Sequence, residues 1–185
     1  MAGARHVISE IDIKALIRTV PDFPRPGVQF RDITTLLKHA GGTGAVVQQL
    51  ASSHRGQHID KIAGIESRGF IVGAALAYEV GVGFVPIRKQ GKLPAENFGQ
   101  DYELEYGADR LEMHADAIER GERILLVDDL IATGGTAEAA LRLLSMAEGV
   151  VVGCAFVIDL PDLAGRERIE RLGHRVVALC AFEGD

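Results

Sequence analysis

The chain has 185 residues, 47% of them hydrophobic, and a formal net charge of −6; this is the balance of one globular α/β domain with a full core, and it speaks against a general nucleic-acid or membrane surface. Any polyanion would have to be met by local clusters of Lys and Arg. Two cysteines, Cys154 and Cys180, fall in apolar stretches and read as buried free thiols, and the six histidines lack metal-site spacing. The first residues carry no sustained apolar region and no run approaches ~20 apolar residues, so a cytoplasmic protein is expected.

Ser9 to Asp12 reads as a helix start, with Ile11, Ala15 and Leu16 as its packing face. The prolines between Pro21 and Pro26 then force a rigid, non-helical passage that delivers Val28 to Asp32 in extended form. Such a segment can offer its backbone to the edge of a base while Phe30 stacks on the ring; the alternative is that Phe30 is simply core. Gly44 to His54 has helical spacing and no chemistry-bearing constellation. Lys61 to Ile65 reads as a strand, followed by the turn Glu66, Ser67, Arg68, Gly69 and a helix carrying Ile71, Ala74, Ala75 and Tyr78. Arg68 is placed for an anion at that helix start, or else is a solvated surface arginine.

A third strand, Gly83 to Ile87, runs into Arg88, Lys89 and Lys92, the densest positive cluster of an acidic protein. At a strand end it suits a polyanionic ligand, although a bare surface patch has the same composition. Pro94 to Tyr106 reads as a mobile loop closing into a hairpin, with Leu111 and Met113 on the partner strand across residues 107–109. Its acids are equally compatible with a charged, solvent-facing edge. Two further strands, Val150 to Ile158 and Arg175 to Cys180, flank a helix from about Ala164 to Leu172.

The stretch from Ile124 to Thr136 carries the most chemistry. Ile124 to Val127 suits a parallel strand buried on both faces, and Ala137 to Ala147 has helical spacing, so the polar residues between them sit at the carboxyl end of a strand. In open α/β sheets ligands bind there. Thr133, Gly134, Gly135 and Thr136 can close backbone N–H groups and hydroxyls around a phosphate at a helix start. Asp128 and Asp129 would repel that phosphate and are better matched to vicinal hydroxyls or hydrated Mg2+. A sugar phosphate satisfies both halves. No Walker P-loop or G-x-G-x-x-G fingerprint is present, and a receiver domain, which also has an acidic pair after a strand, gives no reason for Thr-Gly-Gly-Thr.

Val127 to Thr136 resembles the phosphoribosyl pyrophosphate (PRPP) signature of type I phosphoribosyltransferases. Phe23 to Asp32, Arg88 to Pro94, Leu104 to Gly107 and Leu163 to Glu167 resemble segments of the adenine-specific members, and Gly64 to Phe70 resembles the pyrophosphate loop. The resemblance implies a mostly parallel open sheet flanked by helices, in one domain spanning 1–185, with an N-terminal helix and base-binding segment in 1–35 and a mobile loop and hairpin in 89–113. It also implies transfer of the phosphoribosyl group from PRPP to adenine, Mg2+ held mainly by substrate, and a homodimer.

Residue by residue, the resemblance places PRPP on Asp128, Asp129, Ala132, Thr133, Gly134, Gly135 and Thr136. Pyrophosphate falls to Glu66, Ser67, Arg68, Arg88, Lys89 and Lys92, with a cis peptide joining Glu66 to Ser67. Adenine falls to Gln29, Phe30 and Arg31, the proton to Glu105 and loop closure to Tyr106. No direct metal ligand is implied; Asp128 and Asp129 would act on Mg2+ through water. A 6-oxopurine or xanthine phosphoribosyltransferase and a non-catalytic PRPP-sensing regulator remain as alternatives.

Overall fold

A computed structural model describes residues 11–103 and 108–184. The amino-terminal helix expected from Ser9 onward is reduced, within these residues, to one 3-10 turn, Lys14–Leu16, whose Ala15 N–H donates to Asp12 Oδ1 at 3.2 Å. A single turn gains too few hydrogen bonds to persist against tertiary pairing. Ile17 is already extended, and β1 (Arg18–Pro21) pairs antiparallel with β2 (Gln29–Asp32) in a separate two-stranded sheet. The proline-rich connection is non-helical as expected; Gly27 (φ +89°) donates its N–H to Asp22 Oδ1 at 2.8 Å, and the Phe23–Pro24 bond is cis.

A short α1 (Thr34–Leu37) and then α2 (Gly42–Ser53) follow. The main sheet is built from β3 (Lys61–Ile65), β4 (Gly83–Lys89), β5 (Asn97–Glu103), β6 (Ala108–His114), β7 (Arg123–Ile131), β8 (Val150–Asp159) and β9 (Val176–Ala181). The helices α3 (Arg68–Val80), α4 (Gly135–Met146) and α5 (Gly165–Arg171) are interleaved with them. Strand order among the described residues is β5-β6-β4-β3-β7-β8-β9, parallel from β4 to β9, with the β5–β6 hairpin added antiparallel on the β4 edge.

Side-chain alternation explains why the central strands read as continuous apolar runs. On one face Ala63, Ile65, Ile124, Leu126, Cys154 and Phe156 pack with α4 and α5 residues such as Leu143, Leu144 and Ile169. On the other, Ile62, Leu125, Val127, Ala155 and Val157 pack with α2 and α3 residues such as Leu50, Val72 and Leu76. Both faces are therefore dry, and ligands have access at the strand ends. The strands also run further than expected there: β7 continues past the acidic pair to Ile131 and is paired to β8 up to Ile131↔Asp159. Asp128 and Asp129 are thus held by sheet backbone rather than by a loop. Among the described residues no helix is long and apolar enough to cross a membrane.

Candidate active site

The extended β7 sets Asp128 and Asp129 on opposite sides of the strand. Asp129 is buried and ion-paired with Arg68, while Asp128 Oδ1 accepts the Asp129 N–H at 2.8 Å. Burial, followed by the neighbouring Asp129 charge, holds the Asp128 carboxyl well above the usual carboxylate range. Such an environment favours a partner that donates hydrogen bonds or carries positive charge. Asp128 is closely approached by α3: a Cβ on Gly69 would lie 2.7 Å from Asp128 Oδ1 and 3.1 Å from the Val127 carbonyl oxygen, so only glycine lets the helix begin there.

Ala132, Thr133 and Gly134 then turn into α4, with Gly134 left-handed at φ +79° and no side-chain cap on the helix. The loop is braced from behind by α5. A Cβ on Gly165 would stand 2.1 Å from the Ala132 carbonyl oxygen and 2.7 Å from the Gly134 nitrogen. Arg168 donates from Nη1 to the Thr133 carbonyl (3.4 Å) and from Nε to Glu138 (2.5 Å), and Arg142 Nη2 donates to the same carboxylate at 2.6 Å. Glu138 stands in the first turn of α4, so these arginines neutralise the one acid that would oppose an anion at that end.

Across the crevice, α3 also starts without a side-chain cap, at Ser67. Two uncapped helix starts, Ser67-Arg68 and Gly134-Gly135, line one cavity of about 480 Å3 together with Glu66, Lys89, Tyr102, Asp128, Asp129, Ala132, Thr133 and Thr136. Helix-start N–H groups and aligned dipoles favour negative charge at two points of one ligand. The Glu66–Ser67 peptide bond is cis.

The cations of this rim are held by acids. Glu66 accepts from Arg88 Nε and Nη2 (3.2 and 3.3 Å) and from the Lys89 N–H (3.0 Å), and Arg88 Nη1 donates to the Lys92 carbonyl at 3.1 Å. The Glu66 carboxylate therefore organises the loops. Arg88 and Lys92 stand outside the cavity lining. Lys89 Nζ lies 2.9 Å from Asp109 Oδ2, which also accepts from the Tyr102 hydroxyl at 3.2 Å; the Lys89 hydrogen bond is the main reason the Asp109 carboxyl is lowered.

On the base side, Phe30 is half-buried and edge-on to Phe23, with ring centroids 5.2 Å apart, and the Arg68 guanidinium carbon lies 5.7 Å from its ring centre. Arg68 thereby stands between the ring and Asp129. Gln29 is half-buried beside it. The Arg31 side chain points elsewhere, to Thr19, Gly184 and Phe182. Glu105 and Tyr106 lie outside the described residues. Among the described residues no group of three or more His, Cys, Asp or Glu could hold a metal. The two carboxylates are hard oxygen donors, which fits Mg2+ that keeps its water and is carried by a polyphosphate.

Residues 34–173 match the phosphoribosyl transferase domain. Over 175 residues the chain is 62% identical to the adenine phosphoribosyltransferase of Nitrosospira multiformis, covering 95% of this chain and 100% of that one. The chain belongs to the adenine phosphoribosyltransferase family. The adenine phosphoribosyltransferase of Nitrosomonas europaea is 55% identical over 94% of this chain and 99% of its own. Among solved structures, adenine phosphoribosyltransferase from Thermoanaerobacter pseudethanolicus superposes with a TM-score of 0.89 at 46% identity, covering 95% and 99% of the two chains. The Saccharomyces cerevisiae adenine phosphoribosyltransferase complexed with D-2,5-dideoxy-2,5-imino-altritol 1,6-bisphosphate and adenine gives 0.84 at 39% identity, covering 91% and 96%.

Tyr102, which lines the cavity, and Asp109, which pairs with the lining residue Lys89, were not singled out by the sequence. Tyr102 fell inside the stretch from Pro94 to Tyr106, whose pattern could not show that its hydroxyl reaches Asp109. The α5 brace was visible only as the Leu163 to Glu167 resemblance, without a role.

Proposed function

We infer that the protein transfers the phosphoribosyl group of PRPP to adenine, giving AMP and pyrophosphate in purine salvage. The observation that carries this reading is the pair of uncapped helix starts on one cavity with the carboxylates of Asp128 and Asp129 between them, since a donor with phosphate at one end, pyrophosphate at the other and two hydroxyls in the middle matches that spacing of charge. The identities to named adenine phosphoribosyltransferases favour adenine over 6-oxopurines as acceptor and favour an enzyme over a PRPP-sensing regulator.

In this reading Ala132 to Thr136 hold the 5-phosphate, and Asp128 and Asp129 accept hydrogen bonds from the ribose hydroxyls. As the bond from C1 to the pyrophosphate oxygen breaks and the bond to adenine N9 forms with inversion at C1, the leaving oxygen takes the electron pair. Ser67, Arg68 and Lys89 receive the growing negative charge. Glu66 keeps the Lys89 backbone in place for this. Asp128 and Asp129 would hold Mg2+ through water when it is carried by PRPP, and the ion would supply charge neutralisation at the pyrophosphate. Phe30 stacks on adenine, while Gln29 and the main chain of Arg31 read its edge. Glu105 takes the ring proton, and Tyr106 closes with the loop.

We place the working unit as a cytoplasmic homodimer. On α3, Ile71, Ala74, Ala75 and Tyr78 form an apolar stripe at helical spacing, with Ile71 48% and Tyr78 89% exposed, a face suited to a second copy. Arg88 and Lys92 then serve the neighbouring site. A PRPP-dependent assay offering adenine, hypoxanthine, guanine and xanthine in parallel tests the reading. AMP alone is the expected product; a nucleotide of another base, or PRPP binding without transfer, contradicts it.

A further inference from the structure

Among the described residues the sheet formed by β1 and β2 shares no strand pairing with the main sheet, so side-chain contacts help to set its place against the crevice. Along β2, successive side chains alternate faces. Phe30 turns toward Arg68. Arg31 turns away and is buried: Nη1 donates to Thr19 Oγ1 at 2.7 Å, Nη2 donates to the Gly184 carbonyl at 2.9 Å, and the guanidinium carbon lies 4.7 Å from the Phe182 ring centroid. Lys14 Nζ approaches the same ring at 5.0 Å.

The segment that receives Arg31 is itself tied to the main sheet. Phe182 continues from β9 and donates its N–H to the Asp159 carbonyl at 3.0 Å, and the Gly184 N–H donates to Asp162 Oδ2 at 2.7 Å. Asp159 is the last residue of β8, whose Asp159↔Ala181 register closes the β8–β9 ladder. A continuous path therefore runs from the carboxyl ends of the sheet strands, through Phe182 and Gly184, to the guanidinium of the residue next to Phe30.

We propose that residues 182–184 form a strap that seats the base-reading strand, and that Arg31 and Phe182 are positioning residues for the acceptor base. This rests on the reading that β2 meets adenine. Arg31 acts through Phe30 and through its own main chain, without its side chain touching the base. A planar cation on an aromatic face, together with a charged donor on a carbonyl, suits such a joint because both fix orientation as well as distance.

The test compares Phe182→Ala, Phe182→Tyr, Arg31→Gln and Phe30→Ala, each assayed for the KM of adenine and of PRPP separately, with thermal melting of the same samples. The strap predicts that Phe182→Ala and Arg31→Gln raise the adenine KM about fivefold or more and leave the PRPP KM within about twofold, while Phe182→Tyr, which keeps the ring, behaves as the parent. If Phe182→Ala does not fold, Phe182→Leu repeats the comparison with the volume retained and the ring face lost. Equal rises in both KM values, or an adenine KM unmoved by both Phe182→Ala and Arg31→Gln, overturn the strap. If the parent makes no AMP, or Phe30→Ala leaves the adenine KM unchanged, the base-reading assignment itself falls and the strap with it.

Discussion

The phosphate loop and the base-reading strand serve one crevice and are mounted in opposite ways. Thr133 to Thr136 extend from a strand paired on both sides, and the loop is wedged by a glycine contact that leaves no room for a methyl group. Gln29 to Asp32 stand in a two-stranded sheet of their own, fastened by side chains: Arg31 to the strap, Asp32 to Arg18 and the Thr34 N–H, and Phe30 against Phe23 and Arg68. A site part made by main-chain packing tolerates little change and fails sharply. One made by separate side-chain contacts can be loosened one contact at a time.

The largest expected effect is at the rigid end. Asp128→Asn should cut PRPP-dependent turnover about 10- to 100-fold, the weight of charged hydrogen bonds, without lowering the melting temperature. The sign for stability follows from the raised carboxyl. In the unfolded chain Asp128 ionises at its ordinary value, in the folded one only at higher pH, so folding loses stability as pH rises from the first to the second and the deficit persists at neutral pH. An amide removes that deficit. By the same shift, the parent's PRPP affinity should weaken on acidification while still above the ordinary carboxylate range, and Asp128→Asn should lack that limb; titrating PRPP against both proteins across pH checks it.

Next comes Gly165→Ala. A methyl group 2.1 Å from the Ala132 carbonyl must push the loop or α5 aside, and overpacking of this kind costs about 1 to 3 kcal/mol. We expect the PRPP KM to rise about tenfold and the adenine KM to stay near the parent value, which steady-state kinetics in both substrates will show. A change confined to adenine would mean that α5 supports the base side instead.

A smaller, opposite effect is expected from Asp109→Asn. Lys89 is released from its acid, and since such half-exposed pairs are worth no more than about 1 kcal/mol, PRPP should bind tighter by no more than about fivefold. Weaker binding would show that Asp109 aims Lys89 rather than restraining it. The least effect belongs to Asp32, whose carboxyl is lowered from 3.8 to about 2 by its hydrogen bond from Arg18 and then by Thr34. Its contribution is complete above the ordinary value and is lost as pH falls through about 2, so in acid titrations followed by circular dichroism Asp32→Asn should flatten that last part of the curve. The change is small because Arg18 is largely exposed.

The same contrast explains which parts of the molecule are legible in its sequence. The strand, turn and helix around Asp128 and around Arg68 are local grammar, with apolar run, small residues and helical spacing all within a few residues of the chemistry. The central strands and the presence of the β5–β6 hairpin followed from that grammar as well, although residues 108 and 109, read as part of its connection, belong to β6 and pair with residues 103 and 102. Gly165 acts on Ala132 from another element, and no pattern near Gly165 states that distance. Arg31 meets Gly184 across 153 residues, so its sequence context, next to Phe30, suggested the base rather than the strap. The helix expected at Ser9 went the other way: a plausible local signal yielded, over the described residues, to the pairing of Arg18–Pro21 with β2.

The most direct test of this division is calorimetric titration of PRPP with Mg2+ into the parent, Asp128→Asn and Phe30→Leu. Phe30→Leu should retain PRPP affinity within about twofold while Asp128→Asn loses about tenfold or more. Equal losses in the two variants would contradict a donor half that stands independently of the base-reading strand.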